Sequence, residues 1–292
     1  MKISILIVVI SIITTLIITG CFAQKEKPKY ITENNIIYGK IGAKELGMNM
    51  VTLDNEKKNK PAVIIIHGGG WEAGSKEDAM WMAYDMANLG FTAFSISYRL
   101  TGDAPYPAQI EDCKTAVRFV RANAEKFNIN PDKIGAYGHS AGGHLASMLG
   151  VLPDRKYEGD LGNKTTSSAV QAVINNVGPV DLEYYKEING TPAIIRENNF
   201  PKLFGKNKEG MDYWIKEASP ITFVSEKSVP HIVLYGTDDD LVPYKQGYPF
   251  VEKMKQNKIY CEFRVIEDGG HILDTKKINP LIEAFCHKFL LD

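Results

Sequence analysis

The segment Gly138-His139-Ser140-Ala141-Gly142 places a serine between two glycines, two positions away on either side. A serine hydroxyl is a poor nucleophile until a base takes its proton and fixed donors meet the charge that develops during attack. The G-x-S-x-G spacing suits a tight strand-to-helix turn, the nucleophile elbow, in which side chains at the glycine positions would collide with neighbouring backbone. The helix that follows directs its amino end, with free N–H groups and a partial positive charge, at the reacting oxygen. The flanks agree with that reading: Ile134 to Tyr137 is strand-like, and Leu145, Ala146, Met148 and Leu149 keep helical spacing. Ser140 is the candidate nucleophile, and the N–H of Ala141 is the first candidate oxyanion donor.

A second donor must come from a neighbouring loop. His67-Gly68-Gly69-Gly70-Trp71 follows the apolar run Ala62 to Ile66 directly, and its glycines let backbone N–H groups turn toward a substrate. Gly69 and Gly70 are the candidates. Trp71, beside them, is a candidate substrate contact, and His67 reads as a structural hydrogen-bonding residue.

The base must be one of six histidines. His139 occupies the variable elbow position, His144 lies a turn along the helix, His231 begins a strand and His287 belongs to the final helix. His271, in Asp268-Gly269-Gly270-His271, sits on a loop after a late strand and before the last helix, where a base can reach a serine. An acid should then orient and stabilise the imidazole. Asp238, Asp239 and Asp240 follow another strand in succession, and chemistry alone does not choose among them.

These loops need a scaffold. Ile31 to Tyr38 and Met48 to Leu53, joined by a glycine-containing turn, predict an antiparallel pair at a sheet edge. Ala62 to Ile66, Phe91 to Ser97, Ile134 to Tyr137, Val170 to Asn175, His231 to Tyr235 and Cys261 to Ile266 read as further strands. The unbroken β-branched character of Ala62 to Ile66 marks a strand covered on both faces. Between strands, Ala108 to Phe127 carries Ile110, Cys113, Val117, Val120, Ala124 and Phe127 at helical spacing. The last helix is expected to open at Asn279-Pro280 and turn Leu281, Ile282, Phe285 and Phe289 inward. Strands alternating with helices predict a mostly parallel sheet wrapped on both faces, with functional groups on the loops at the strands' carboxyl ends.

Composition narrows the field. The 292 residues carry 34 Lys and Arg against 35 Asp and Glu, a balance that gives no reason to propose a nucleic-acid partner. The first twenty residues differ from the rest. Lys2 precedes an apolar run, Ile3 to Ile18, which predicts an export signal over residues 1–20. Ile18-Thr19-Gly20-Cys21 resembles the lipobox of bacterial lipoproteins. That resemblance implies lipidation of Cys21, a flexible tether over residues 21–29 and anchorage to a membrane of a bacterial cell envelope; residues 30–292, which hold the candidate nucleophile and base, are read as the catalytic domain. Cys113, Cys261 and Cys286 have no close spacing and read as small buried hydrophobes, with no zinc site indicated.

Together, H-G-G-G-W, G-H-S-A-G-G, G-x-x-D-x-x-V-P and a late G-G-H resemble the acetyl esterase/lipase branch of the α/β-hydrolases, and within it bacterial feruloyl and acetyl-xylan esterases. The resemblance runs from about Ile31 to the C-terminus. It implies an α/β-hydrolase fold, selects Asp239 as the acid, and implies a small insertion over the active site at about residues 181–229. The aromatics there, Tyr184, Tyr185, Phe200, Phe204, Tyr213, Trp214 and Phe223, would line an acyl or sugar pocket or form a satellite core. The expected activity is cleavage of short-chain acyl or acylated-carbohydrate esters, with no metal and no organic cofactor. An arylformamidase-type amide hydrolase ranks second, because H-G-G-x-W also resembles kynurenine formamidases, and a peptidase third. A non-catalytic binding protein on the same scaffold is the rival from another class. The sequence leaves the oligomeric state open.

Overall fold

The structure is a computed structural model that describes residues 28–152, 156–186, 198–205 and 210–291. The signal expected over residues 1–20, Cys21 and the tether as far as residue 27 lie outside the described residues.

An eight-stranded sheet runs in the order β1-β2-β4-β3-β5-β6-β7-β8. Its strands are β1 (Tyr30–Ile41), β2 (Lys44–Leu53), β3 (Lys60–Ile66), β4 (Thr92–Ile96), β5 (Ile129–His139), β6 (Val173–Asn176), β7 (His231–Gly236) and β8 (Cys261–Ile266). From β4 to β8 every neighbouring pair is parallel, while β1 and β2 form the expected antiparallel edge. Gly42, at φ +57°, makes their turn. The helices are α1 (Met80–Asn88), α2 (Ala108–Ala122), α3 (Ala124–Phe127), α4 (Ala141–Val151), α5 (Phe200–Leu203), α6 (Met211–Glu217), α7 (Pro220–Phe223), α8 (Gly247–Gln256) and α9 (Thr275–Cys286).

Every residue of β3 is buried, as its composition predicts for a strand covered on both sides. Successive side chains point to opposite faces. Ala62, Ile64 and Ile66 join the core that holds Ile110, Val117 and Val120 of α2 and Leu145 and Met148 of α4. Val63 and Ile65 join the other core, with Met82 and Met86 of α1, Phe250 of α8 and Ile282 and Phe285 of α9. At roughly 1.5–3 kcal/mol per buried aliphatic side chain, these two layers fix the sheet and therefore the loops at its end.

Two expected elements differ in extent. The helix expected from Ala108 to Phe127 breaks at Asn123, whose side-chain amide donates to Phe119 O at 2.8 Å and competes with the helical ladder. The last helix begins at Thr275, ahead of the expected Asn279-Pro280. Asp274 is its cap, accepting from the Lys276 N–H at 2.9 Å, and Pro280 falls inside the helix. The insertion aromatics Tyr185, Phe200 and Phe204 extend the core on the α2 and α4 side, and Tyr184, Trp214 and Phe223 pack against it. Tyr213 is exposed. Cys113 and Cys286 are buried, Cys261 is half-buried, and all three are free thiols.

Candidate active site

Parallel pairing of β3 with β5 sets Ile66 opposite Gly138, so the loops leaving these strands start side by side. Ser140 is two residues beyond that register point and Gly68 is two residues beyond it on the other strand. A Cβ built on Gly68 would lie 3.2 Å from the Ser140 Cβ. Ser140 itself has φ 55° and ψ −122°, a conformation that costs an L-residue on the order of 1–3 kcal/mol. The surroundings enforce it. Its N–H donates to Asn176 O at 2.9 Å. A Cβ on Gly138 would meet Gly142 O at 2.0 Å, and one on Gly142 would meet Ile66 O at 2.0 Å. Both elbow glycines are therefore required by close backbone approach.

α4 opens at Ala141, so the Ala141 N–H is a first-turn donor without an intrahelical acceptor. Gly69 and Gly70 have φ +106° and +60°. Gly69 O accepts from the N–H groups of Glu72 and Ala73 at 3.1 and 3.0 Å. In a trans peptide the next N–H points the opposite way, so that of Gly70 faces away from this turn. Asn199, in the insertion, lays its amide against the same loop and donates to Gly70 O at 3.4 Å, while Lys202 pairs with Glu72 at 2.5 Å. Sequence reasoning missed both contacts, which join residues about 130 positions apart.

The loops after β7 and β8 carry Asp239 and His271. Gly236 and Ile266 are register partners, and a Cβ on Gly236 would lie 1.9 Å from Gly269 O, so only a glycine lets the loops touch. His271 Nε2 lies 2.8 Å from Ser140 Oγ, and His271 Nδ1 lies 2.8 Å from Asp239 Oδ2. The carboxylate can only accept, which puts the imidazole proton on Nδ1 and leaves the Nε2 lone pair for the serine hydroxyl. Asp239 Oδ1 accepts from the N–H groups of Leu241 and Val242 at 2.9 and 2.8 Å. The Asp239 side chain is 0% exposed and that of His271 is 21% exposed, so one is sealed and the other open to solvent. Asp238 and Asp240 are exposed, and Asp238 accepts from Thr237 Oγ1. The structure thus brings Ser140, His271 and Asp239 into one line.

The other histidines have different places. His67 is buried, stacks on Tyr98 at 4.3 Å between centroids, and donates from Nδ1 to Gly68 O. Burial holds its pKa below the ordinary value. His144 accepts on Nδ1 from the Trp71 indole at 3.1 Å and donates from Nε2 to Ala218 O at 2.6 Å. His139 Nε2 lies 3.1 Å from His271 O. Trp71 needs a correction: expected to touch substrate, it is 1% exposed, with its N–H turned inward to His144. A left-handed backbone, φ +63°, aims the ring into the core. The spacing of four from Ser140 puts His144 on one helix face with it. Its partner, 73 residues away, has no sequence signature. Among the described residues, no three His, Cys, Asp or Glu side chains gather closely enough to hold a metal ion.

Residues 48–254 match the family model described as BD-FAE. The chain is 28% identical over 272 residues to esterase LipC of Mycobacterium tuberculosis, covering 90% of this chain and 66% of LipC. It spans about two thirds or less of the length of the first curated relatives it matches. Among solved structures, a truncated carbohydrate esterase from gut microbiota superposes with a TM-score of 0.77 at 30% identity, over 88% of this chain and 95% of that one. A butyrate-bound esterase of Thermogutta terrifontis gives a TM-score of 0.74 at 25% identity, over 87% and 93%. The mostly parallel sheet is the one these esterases share.

Proposed function

We propose that this chain, which belongs to the BD-FAE family, is a serine esterase that cleaves carboxylic esters through Ser140, His271 and Asp239. The observation that carries the reading is the unbroken pair of 2.8 Å contacts from Ser140 Oγ through His271 to Asp239. Such an arrangement supplies nucleophile, base and orienting carboxylate in the order acyl transfer needs. Ser140 attacks the ester carbonyl while His271 Nε2 takes its proton. The N–H groups of Ala141, Gly69 and Gly70 hold the oxyanion. The imidazolium, stabilised by Asp239, returns its proton to the leaving alcohol, and water releases the acyl group by the same route.

The substrates we infer are short-chain acyl esters, including those of acylated carbohydrates. Two similarities support this: one neighbouring structure is named a carbohydrate esterase, and another holds butyrate. A fluorophosphonate probe together with nitrophenyl acetate, butyrate and octanoate, acetylated xylan and methyl ferulate tests the reading. Wild type should label and turn over one of these esters. Ser140→Ala should not label and should lose on the order of 10⁶ in kcat, the loss seen on removing such a serine elsewhere. Labelling that survives Ser140→Ala, or more than a tenth of the activity remaining, would refute it. We also infer export and membrane attachment through lipidated Cys21, from the apolar run and the Ile18-Thr19-Gly20-Cys21 segment.

A further inference from the structure

We propose that His139 is a positioning residue for the base: its ring holds the main chain of His271 and thereby keeps the imidazole in line with Ser140. The inference rests on the esterase reading of Ser140, His271 and Asp239 given above.

His271 follows a segment tied to the loop after β7, with Gly269 O accepting from the Asp238 N–H at 2.8 Å. Gly269 and Gly270 precede it, and Ile272, immediately after it, is 83% exposed. The Asp239 carboxylate holds the Nδ1 edge of the ring and Ser140 Oγ meets its Nε2, each at 2.8 Å, yet bonds to the ring still let the backbone behind it shift. Reaction geometry tolerates little of this, since a misplacement of about 1 Å can cost on the order of 10²-fold in rate. His139 supplies a restraint at the His271 main chain itself. Its Nε2 lies 3.1 Å from the carbonyl oxygen of His271, and the two rings meet edge-on, with centroids 5.3 Å apart.

The elbow explains why a residue next to Ser140 can do this. His139 is the last residue of β5 and leads directly into the turn of Ser140, so both side chains reach His271. On its far edge the ring rests on the oxyanion loop: a Cβ built on Gly68 would lie 3.1 Å from His139 Nδ1. One side chain therefore touches the nucleophile turn, the loop of the base and the loop of the donors. A carbonyl only accepts, so the bond requires a proton on Nε2. Burial, above all, lowers the pKa of His139, against smaller opposing pulls from the His271 carbonyl and Asp239. The neutral ring thus keeps its proton on Nε2 and a lone pair on Nδ1.

The test compares wild type, His139→Leu, His139→Met and His139→Gln by steady-state kinetics on one nitrophenyl ester and by thermal melts. Leu and Met fill the site without a donor. Gln offers an N–H at nearly the reach of His Nε2. His139→Leu and His139→Met should lower kcat about tenfold, the scale set by one net hydrogen bond, and leave KM within about twofold. His139→Gln should recover kcat to within about threefold of wild type. Should Leu fail to fold, Met against Gln carries the same comparison. Equal kcat in wild type and the donor-free variants would overturn the positioning role alone. So would equal losses in Met and Gln at an unchanged melting temperature, because shape rather than the donor would then matter. A folded wild type inert to both esters and fluorophosphonate would overturn the esterase reading and this inference with it.

Discussion

His144 lies wholly inside the fold, between the Trp71 indole and Ala218 O, and burial pushes its pKa down to about 4. In the unfolded chain the same imidazole binds a proton near pH 6.5. Between those values the unfolded chain holds more protons than the native one. Stability therefore rises with pH across this window and is lost as pH falls from about 6.5 toward about 4. The full difference is about 3 kcal/mol, of which about 2 kcal/mol is already lost at pH 5. His231, also buried with a pKa near 4, adds a comparable loss. Urea unfolding at pH 7 and pH 5 on wild type and His144→Gln isolates the first residue. Gln can still donate to Ala218 O but leaves the Trp71 N–H without its acceptor, which should cost about 1–3 kcal/mol at pH 7. Because Gln does not titrate, that gap should narrow by about 2 kcal/mol at pH 5, with unchanged urea dependence in both proteins. A gap that stays constant between the two pH values would refute the argument that burial holds His144 neutral.

The remaining predictions concern the site and its anchorage. Asp239→Asn should lower kcat by about 10⁴, because an amide facing Nδ1 forces the imidazole proton onto Nε2 and removes the base. Asp238→Asn and Asp240→Asn, both exposed, should each cost less than about tenfold, and a crippled variant among these two would displace Asp239 as the acid. Gly142→Ala puts a methyl 2.0 Å from Ile66 O, where the β3 backbone cannot yield. It should abolish soluble expression or turnover, and an active, normally melting Gly142→Ala would contradict the elbow geometry. If Cys21 is lipidated, wild type should partition into a detergent phase and Cys21→Ser should not; identical partitioning would remove the anchor.

Much of this protein was legible in its residues because the signals are local. The unbroken β-branched run from Ala62 to Ile66 could only be a strand covered on both faces, and it is. The glycines around Ser140 announced a turn with no room for side chains, a demand met at 2.0 Å on each side. Elimination among six histidines led to His271 because a base needs a loop, and loops declare themselves by glycine. The three consecutive aspartates mark the boundary of that reasoning. They have the same chemistry and neighbouring positions, and burial of Asp239 beneath Leu241 and Val242, with its other oxygen on His271, is a property of the folded loop. Trp71 was misjudged for the same reason. Its place beside the oxyanion loop is local, but the left-handed backbone that turns its ring toward His144 is set by packing 73 residues away. The elbow histidine likewise looked like a variable filler until β8 carried His271 back over it. Backbone turns and strand runs follow from nearest neighbours in the chain. Which polar side chain is buried, and against what, is decided only when the sheet brings distant loops together.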